Sequence, residues 1–299
     1  MATTEPGELH GPGPDLDSPR GLARPGGRPR VLAHLCLILF GLLMLYPLIW
    51  MLASSFKPGE EIFSQPGLWS ENFTAQNYVE GWTALPRPFH IYILNSLIVV
   101  GGSIVGNLLA CSLAAYAFAR LEFRFKRFWF AVMLGTIMLP IHVVIVPQYV
   151  LFAQLDWINT FWPLIVPKLL ATDAFFIFLM VQFIRGIPKE LDEAARIDGC
   201  GHFGIFWRII IPMSTPALAT TAIFTFIWTW NDFFSQLIFL ADPDLYTVPV
   251  ALRTFVDSNT QTPWGPVFAM SVVSLAPIFG FFLAGQRYLV RGIATTGLK

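Results

Sequence analysis

The sequence predicts an all-α membrane protein with about six transmembrane helices. Hydrophobic residues make up 55% of the chain and charged residues only 13%. A soluble domain has about 25% charged residues, because its surface faces water. The mean hydropathy is +0.60, and the apolar residues are grouped in long runs. Much of the surface is therefore expected to face lipid.

Six of these runs are long enough for a helix to cross about 30 Å of hydrocarbon at about 1.5 Å per residue. Each is apolar on all sides rather than along one stripe, as expected of a helix in lipid. The runs cover residues 31–56, 92–118, 128–150, 160–184, 209–230 and 267–289. Residues 1–30 are rich in Gly and Pro without apolar periodicity. We therefore predict a disordered cytoplasmic tail at 1–30 and a transmembrane domain at 31–299.

The distribution of basic residues orients this predicted bundle, because cytoplasmic loops collect Lys and Arg. Basic residues concentrate before the first run, in the second and fourth connections, and after the last run. They are Arg20, Arg24, Arg28, Arg30, Arg120, Arg124, Lys126, Arg127, Arg185, Lys189, Arg196, Arg208, Arg287, Arg291 and Lys299. We predict that both termini and these two connections are cytoplasmic. Six spans place all of these basic segments on the same side of the membrane, whereas five or seven would not.

Several function classes receive no support from the composition. The formal net charge is zero, so no nucleic-acid partner is expected. There is no Gly-rich Walker pattern and no Gly-Lys dipeptide, so the chain is not expected to bind ATP through a P-loop. The three cysteines and five histidines are scattered. We therefore predict no metal site, no catalytic residues and no bound cofactor.

The fourth connection, at about residues 185–211, has the sequence of a short helix with defined ends. Pro188 suits the first helical position, where its missing N–H costs nothing. Glu190, Asp192 and Glu193 place negative charge in the first turns, which is favourable against the helix dipole. Gly199 is expected to end the helix in a left-handed cap. A second helical stretch, from about 202 to 211, should follow.

One side of this predicted helix is suited to close contact. Leu191, Ala194 and Ala195 fall at i, i+3 and i+4 and so share a face built mainly of small side chains. A helix this short is marginal in water unless it packs against something. Two alternatives remain open on these grounds, namely docking to another protein and packing on the chain's own bundle.

The same segment resembles a known motif. Glu193-Ala194-Ala195, followed by Gly199, Ile209 and Pro212, is similar to the EAA motif in the membrane subunits of ATP-binding-cassette (ABC) importers. The departures are Ile211, where leucine is usual, and Cys200, where alanine is common. Further segments resemble the MalG-like branch, which imports carbohydrates. They are Asn95-Ser96-Leu97, Ala115-Tyr116-Ala117-Phe118-Ala119-Arg120, Ile158-Asn159-Thr160, Trp230-Asn231-Asp232, Gln286-Arg287-Tyr288 and Val290-Arg291-Gly292.

The resemblance implies an ABC importer type I permease fold and a multi-pass location in the bacterial cell (inner) membrane. It implies a transport subunit that is not an enzyme and that couples ATPase motion to alternating access. The implied partners are membrane lipid, a sibling MalF-like permease, an extracytoplasmic solute-binding protein, and an ATPase dimer that holds ATP and Mg. The residues implied in a coupling loop that docks in a groove of the ATPase are Leu191, Glu193, Ala194, Ala195, Asp198, Gly199 and Pro212.

Within that loop, the resemblance implies a polar contact for Glu193, packing of Ala194 and Ala195 into the groove, and a bend at Gly199. The solute is expected to be a sugar or related polyol, although importers of glycerol-phosphate-type solutes share these motifs. A secondary transporter that needs no ATPase, or a membrane scaffold, would explain the apolar runs but not this loop.

Polar residues within the apolar runs are candidates for the transport pathway, because they are costly in lipid and tend to face protein or water. They are Asn95, Asn107, Gln148, Lys168, Asp173 and Gln182. Lys168 and Asp173 are five residues apart and are not neighbours on a regular helix. We therefore expect them to pack within the protein or to pair with the sibling subunit, with direct contact to solute as the alternative.

Overall fold

The computed structural model describes residues 27–256 and 262–296, with side chains over 31–256 and 262–286. This part of the chain is helical, and it contains no strand. The helices are α1 (Gly27–Ser54), α2 (Glu61–Ser64), α3 (Gln76–Thr83), α4 (Phe89–Arg120), α5 (Lys126–Thr136), α6 (Ile141–Gln154), α7 (Trp162–Leu169), α8 (Ala174–Arg185), α9 (Glu190–Ile197), α10 (His202–Ile205), α11 (Ile211–Met213), α12 (Thr215–Asn231), α13 (Phe234–Phe239), α14 (Val248–Val256) and α15 (Trp264–Thr296).

The chain divides into two units, residues 1–48 and 49–299, and the boundary lies inside α1. In the first unit, α1 begins at Gly27, four residues before the predicted start of the transmembrane domain. Pro29 is compatible with this start, because the first N–H groups of a helix have no partner within the helix. The rest of the predicted disordered tail lies outside the described residues.

Six spans are present when each sharply bent pair of helices counts as one, and four when it does not, among the residues that the structure describes. The candidates without a sharp bend are Val31–Ser54, Phe89–Arg120, Trp162–Arg185 and Trp264–Gln286. The bent pairs are Lys126–Thr136 with Ile141–Gln154, at 100°, and His202–Met213 with Thr215–Asn231, at 75°. The predicted all-α membrane protein of about six spans is confirmed.

The predicted third and fifth spans, however, are not single straight helices. In the third, Pro140 is extended, with φ −63° and ψ 136°. Proline has no N–H to continue a helix, and it disfavours the helical region for the residue before it. The fifth bends at Ser214, between Pro212 and Pro216. Hydropathy shows only that both halves of each span are apolar, so it does not predict the bends.

The fourth span is interrupted between α7 and α8. Ala171 in this break has φ 55°, a left-handed conformation that does not continue a right-handed helix. The break lies against α4, where Gly106 permits a close approach. A Cβ on Gly106 would lie 3.0 Å from the backbone of Lys168 and Leu169. Glycine therefore lets α4 pack directly on the end of α7.

Two connections, at about 55–88 and 232–263, meet at the start of α4. Arg87 donates to both carboxylate oxygens of Asp244, at 2.7 and 2.6 Å, and this guanidinium lowers the pKa of Asp244 below its ordinary value. Asn95 donates from Nδ2 to the carbonyl oxygens of Asp244 and Tyr246, both at 2.9 Å. Lys57 is fully buried and donates to the Gln65 carbonyl at 2.8 Å. Asn95 thus attaches the connection at about 232–263 to the start of α4.

The core at the other end of α4 includes the fourth connection. Buried side chains of α4 and α8 form one cluster with residues that follow α8 in sequence. Its members include Cys111, Tyr116, Phe176, Met180, Ile184, Ile187, Ala195, Ile205, Phe206 and Ile210. The fourth connection is therefore part of the folded bundle, and motion of α9 can be passed to α4 and α8 through packed side chains.

Candidate functional site

The fourth connection forms the predicted helix, α9, and it ends as the sequence indicates. Gly199 has φ +82°. The Cys200 N–H donates to the Ala195 carbonyl at 2.9 Å, and the Gly199 N–H donates to the Arg196 carbonyl at 3.0 Å. These two bonds form a Schellman motif. The left-handed cap at Gly199 is therefore confirmed, whereas Pro188 lies two residues before Glu190 rather than at the first helical position.

A buried ion pair fastens α9 to α4. Arg120 and Asp192 have side chains only 2% and 8% exposed, with Arg120 Nε 3.1 Å from Asp192 Oδ2. The Nε–H is not aimed at this oxygen, so the contact is an ion pair rather than a well-formed hydrogen bond. Arg120 also donates from Nη2 to the Ile187 carbonyl at 2.6 Å. One guanidinium thus holds both the start of α9 and the segment that precedes it.

The predicted single contact face of α9 is divided in the structure. Ala195 is 8% exposed and packs in the chain's own core with Ile184 and Ile205. Glu193 and Ala194 are exposed, and Leu191 is 39% exposed. Because Ala195 lies at the edge of the predicted face nearest the bundle, it is covered by the chain itself. A groove contact through Ala195 is therefore not available in this conformation.

The end of the helix and the segment after it add exposed groups. Asp198 is the exposed C-terminal cap residue of α9, and Ile197 is 87% exposed. The predicted helical stretch 202–211 is present, but residues Phe206–Ile210 form a π-helical turn. Pro212, which is exposed, has no N–H for the carbonyl four residues earlier, and a wider turn accommodates this.

The fourth-span break brings together two residues that a regular helix would separate. Lys168 Nζ lies 3.0 and 2.9 Å from the two carboxylate oxygens of Asp173. Asn107, fully buried on α4, donates to Asp173 at 2.7 Å and to Thr225 of α12 at 3.0 Å. Lys168 and Asp173 are neighbours because the chain between them is not a regular helix, since the residue Ala171 is left-handed.

This ion pair borders a cavity of about 890 Å³ between α5, α6, α7, α8 and α12. Gln148 of α6 lines the same cavity, so three of the six predicted pathway residues meet there and Asn107 supports them. Asn95 instead donates to the carbonyl oxygens of Asp244 and Tyr246. Gln182 is exposed on α8 and does not line this cavity.

Sequence reasoning missed other groups at this cavity. Trp228 lines it and packs against Phe175 with the two rings tilted and their centroids 5.3 Å apart. Asp232, also in the lining, accepts a hydrogen bond from the Ser235 N–H at 3.1 Å. The Trp230-Asn231-Asp232 segment offers a signal for Asp232. Because Asp232 follows the predicted span 209–230, however, the sequence predicts a loop position for it rather than a position within a span.

Residues 106–295 match a family described as the binding-protein-dependent transport system inner membrane component. The chain belongs to this family. The match begins within α4 and covers Asn107, Lys168 and Asp173, the cavity of about 890 Å³ that they border or support, and the whole fourth connection. This permease is a multi-pass membrane subunit of an ABC transporter and not an enzyme.

Similar proteins support the same assignment. The permease is 39% identical to the "Probable ABC transporter permease protein YurM" of Bacillus subtilis, over 88% of this chain and 86% of that protein. It is 33% identical to the "Trehalose/maltose transport system permease protein MalG" of Thermococcus litoralis, over 90% of this chain and 97% of that protein. A crystal structure of a bacterial ABC transporter involved in the import of the acidic polysaccharide alginate superimposes with a TM-score of 0.77 at 22% identity, covering 88% of this chain and 97% of that one. The last comparison confirms the ABC importer permease fold.

Membership in this family also bears on cofactors and partners. Permease components of this kind work with a binding protein and an ATPase, and they generally bind no cofactor. Within the described residues, no group of three His, Cys, Asp or Glu side chains could hold a metal ion.

Proposed function

We propose that this permease imports a sugar or related polyol, and that α9 is the coupling helix through which an ATPase drives it. The observation that carries the proposal is the combination of one exposed and one anchored side on α9. Glu193 and Ala194 are exposed, while Asp192 on the opposite side is tied to Arg120. A helix laid in a partner's groove needs a free side, and transmission of motion needs a fixed one.

The proposed docking surface consists of the exposed predicted residues Leu191, Glu193, Ala194, Asp198 and Pro212, with Gly199 setting the bend between them. An ATPase dimer would hold ATP and Mg, and its closure would move α9. The packed core between α9, α4 and α8 would then switch the bundle between inward and outward states as a rigid-body change. A sibling permease would complete the pathway, and an extracytoplasmic binding protein would deliver the solute.

The proposed orientation places both termini and α9 in the cytoplasm. It rests on the basic residues of the second and fourth connections, including Arg120, Arg124 and Arg208, which cytoplasmic loops favour. The connections at about 55–88 and 232–263 would then face the binding protein.

The charges of the large cavity favour a neutral solute over a phosphate ester. Its charged lining consists of Lys168, Asp173 and Asp232, which gives one more carboxylate than ammonium. The ammonium is already paired with Asp173, so an anionic solute would meet an excess of negative charge. The trehalose/maltose system named for the relative above is consistent with a sugar, and aromatic Trp228 offers an apolar face to a sugar ring.

Two measurements test this function. Purification of the tagged permease from its own organism should retain an ATPase subunit in stoichiometric amounts. The binding protein of the same system should retain a neutral sugar or polyol when its bound solute is identified by mass spectrometry. Uptake that continues without any ATPase would instead establish a secondary transporter, and retention of a glycerol phosphate would replace the sugar assignment.

We further propose that Gln148, Lys168 and Asp173 border the solute pathway, with Lys168 and Asp173 acting mainly on each other. Asp173 accepts hydrogen bonds from Lys168 and Asn107, so it joins the break to α4. The pair is partly exposed, with side chains 29% and 23% accessible. Its role would be to hold the break in shape beside the pathway.

Replacing Asp173 with Leu should lower both stability and uptake, because it removes the acceptor of Lys168 and one of the two acceptors of Asn107. We expect a loss of about 1–2 kcal/mol, less than for a fully buried pair, since water reaches both groups. The double variant Lys168→Leu/Asp173→Leu should recover part of this loss, because removing both partners leaves no lone charge. Thermal stability in detergent and uptake per inserted molecule are the measurements.

Gln182→Leu is the matched control, since Gln182 lies on the same span but is exposed and outside the cavity lining. Its thermal stability in detergent and its uptake per inserted molecule should match those of the unmodified chain. A double variant that stays stable but transports no better than Asp173→Leu would show that the charged pair serves transport in a way that its contribution to stability does not explain.

A further inference from the structure

A second cavity, of about 530 Å³, lies where α4 ends, α5 begins and α8 ends. We call it the cationic cavity. Its polar wall is formed by Glu122, Lys126, Arg127 and Arg185, and its other wall is formed by phenylalanine rings that include Phe118 and Phe130. The two rings pack on each other with centroids 5.4 Å apart. A charged wall thus faces a continuous aromatic wall.

The charges of this cavity do not cancel. Lys126 donates to Glu122 at 3.0 Å and to the Leu121 carbonyl at 2.7 Å, so the ammonium and this carboxylate neutralise each other. Arg127 and Arg185 have no carboxylate partner within the described part of the chain. The guanidinium of Arg185 lies over the ring of Phe130, 5.3 Å from its centroid. Two positive charges therefore remain beside an apolar surface.

The position of the cavity along the helices matches the depth of lipid headgroups. It lies at the ends of apolar spans, where the chain leaves the hydrocarbon region. At the start of α5, Phe125 is 62% and Phe128 is 59% exposed. Basic clusters between helices on the cytoplasmic side attract the headgroups of anionic lipids, and long apolar chains gain by covering exposed aromatic and aliphatic groups.

We propose that the cationic cavity is a binding site for an anionic phospholipid. Arg127 and Arg185 contact the phosphate, and an acyl chain lies along the phenylalanine wall and α5. A small soluble anion would use the two guanidinium groups but would leave the aromatic wall bare. This proposal is independent of the transported solute, and it uses the proposed orientation only to name the cytoplasmic leaflet.

The test measures lipid retention by the purified full chain, using native mass spectrometry with added dioleoyl phosphatidylglycerol or dioleoyl phosphatidylcholine. Arg127→Gln/Arg185→Gln should weaken phosphatidylglycerol binding about tenfold, because each basic residue near a membrane surface contributes measurably to anionic lipid binding. The control Arg196→Gln/Arg208→Gln removes the same charge from the fourth connection, and both residues are exposed and lie outside the cavity lining. It should bind phosphatidylglycerol within about twofold of the unmodified chain, as expected when the cavity rather than net charge attracts the lipid.

Each of the following outcomes would overturn the proposal. Equal losses in the two double variants would show attraction by net charge alone. Equal retention of phosphatidylcholine would show no headgroup selection, and displacement of the lipid by inorganic phosphate would show a site for small anions. Photoactivatable phosphatidylglycerol on the unmodified chain gives a check that does not depend on folding of a variant. It should label residues 118–130, and labelling confined to other segments would contradict the site.

Discussion

Replacing Glu193 with Lys is expected to abolish uptake while the protein remains in the membrane. Glu193 is exposed on the free side of α9, so the change removes no internal contact that would be needed for folding. In the proposed docked state, the substitution would bring an ammonium group to the polar contact that the Glu193 carboxylate makes. Disrupting one partner of a buried interfacial charge pair costs about 2–5 kcal/mol, which corresponds to about thirtyfold or more in affinity.

The control is Glu190→Lys, because Glu190 is also an exposed acidic residue in the first turn of α9 but does not belong to the motif. Both variants change the charge equally and disturb the helix dipole in the same way. Recruitment of the ATPase in pull-downs and uptake per inserted molecule should fall for Glu193→Lys and stay near normal for Glu190→Lys. Equal behaviour of the two variants would remove the assignment of Glu193 as a docking residue.

Replacing Arg120 with Leu should destabilise the chain itself by about 3–5 kcal/mol, because it leaves the carboxylate of Asp192 buried without a partner. The Ile187 carbonyl would also lose its donor. We expect a lower unfolding temperature in detergent and faster hydrogen exchange in α9. Arg120→Lys should be intermediate, because Lys keeps the charge but has no planar fork to reach both partners.

The double variant Arg120→Leu/Asp192→Leu separates anchoring from folding. It should recover much of the stability, since no buried charge is left alone, yet coupling of ATP hydrolysis to uptake should remain impaired. Normal hydrogen exchange of α9 in Arg120→Leu would show that this ion pair does not hold the helix.

The sequence predicted the parts of this protein that depend on local composition. The apolar runs identified six spans, and a single glycine, Gly199, identified the end of α9, because few other residues adopt φ near +82° at low cost. The helix breaks were harder to predict. Pro140 is a breaking signal, but prolines also occur inside spans here, as Pro47 and Pro277 do.

The contacts between distant segments could not be predicted. Arg120 ends a recognisable segment, but its partner Asp192 lies on another helix, and no local pattern joins them. Likewise, no local pattern predicts the left-handed conformation of Ala171, which brings Lys168 and Asp173 together. The helical position of Ala195 is compatible with the docking face, whereas its burial depends on packing with Ile205 and Ile184.

The interruption between α7 and α8 also determines which side of this bundle can touch lipid tails. A helix break releases backbone carbonyl and amide groups, and hydrocarbon offers them nothing to bond. Ala171, Thr172 and Asp173 all line the large cavity, so these backbone groups require water or protein beside them rather than lipid tails. The same break that pairs Lys168 with Asp173 therefore excludes acyl chains from this part of the cavity wall.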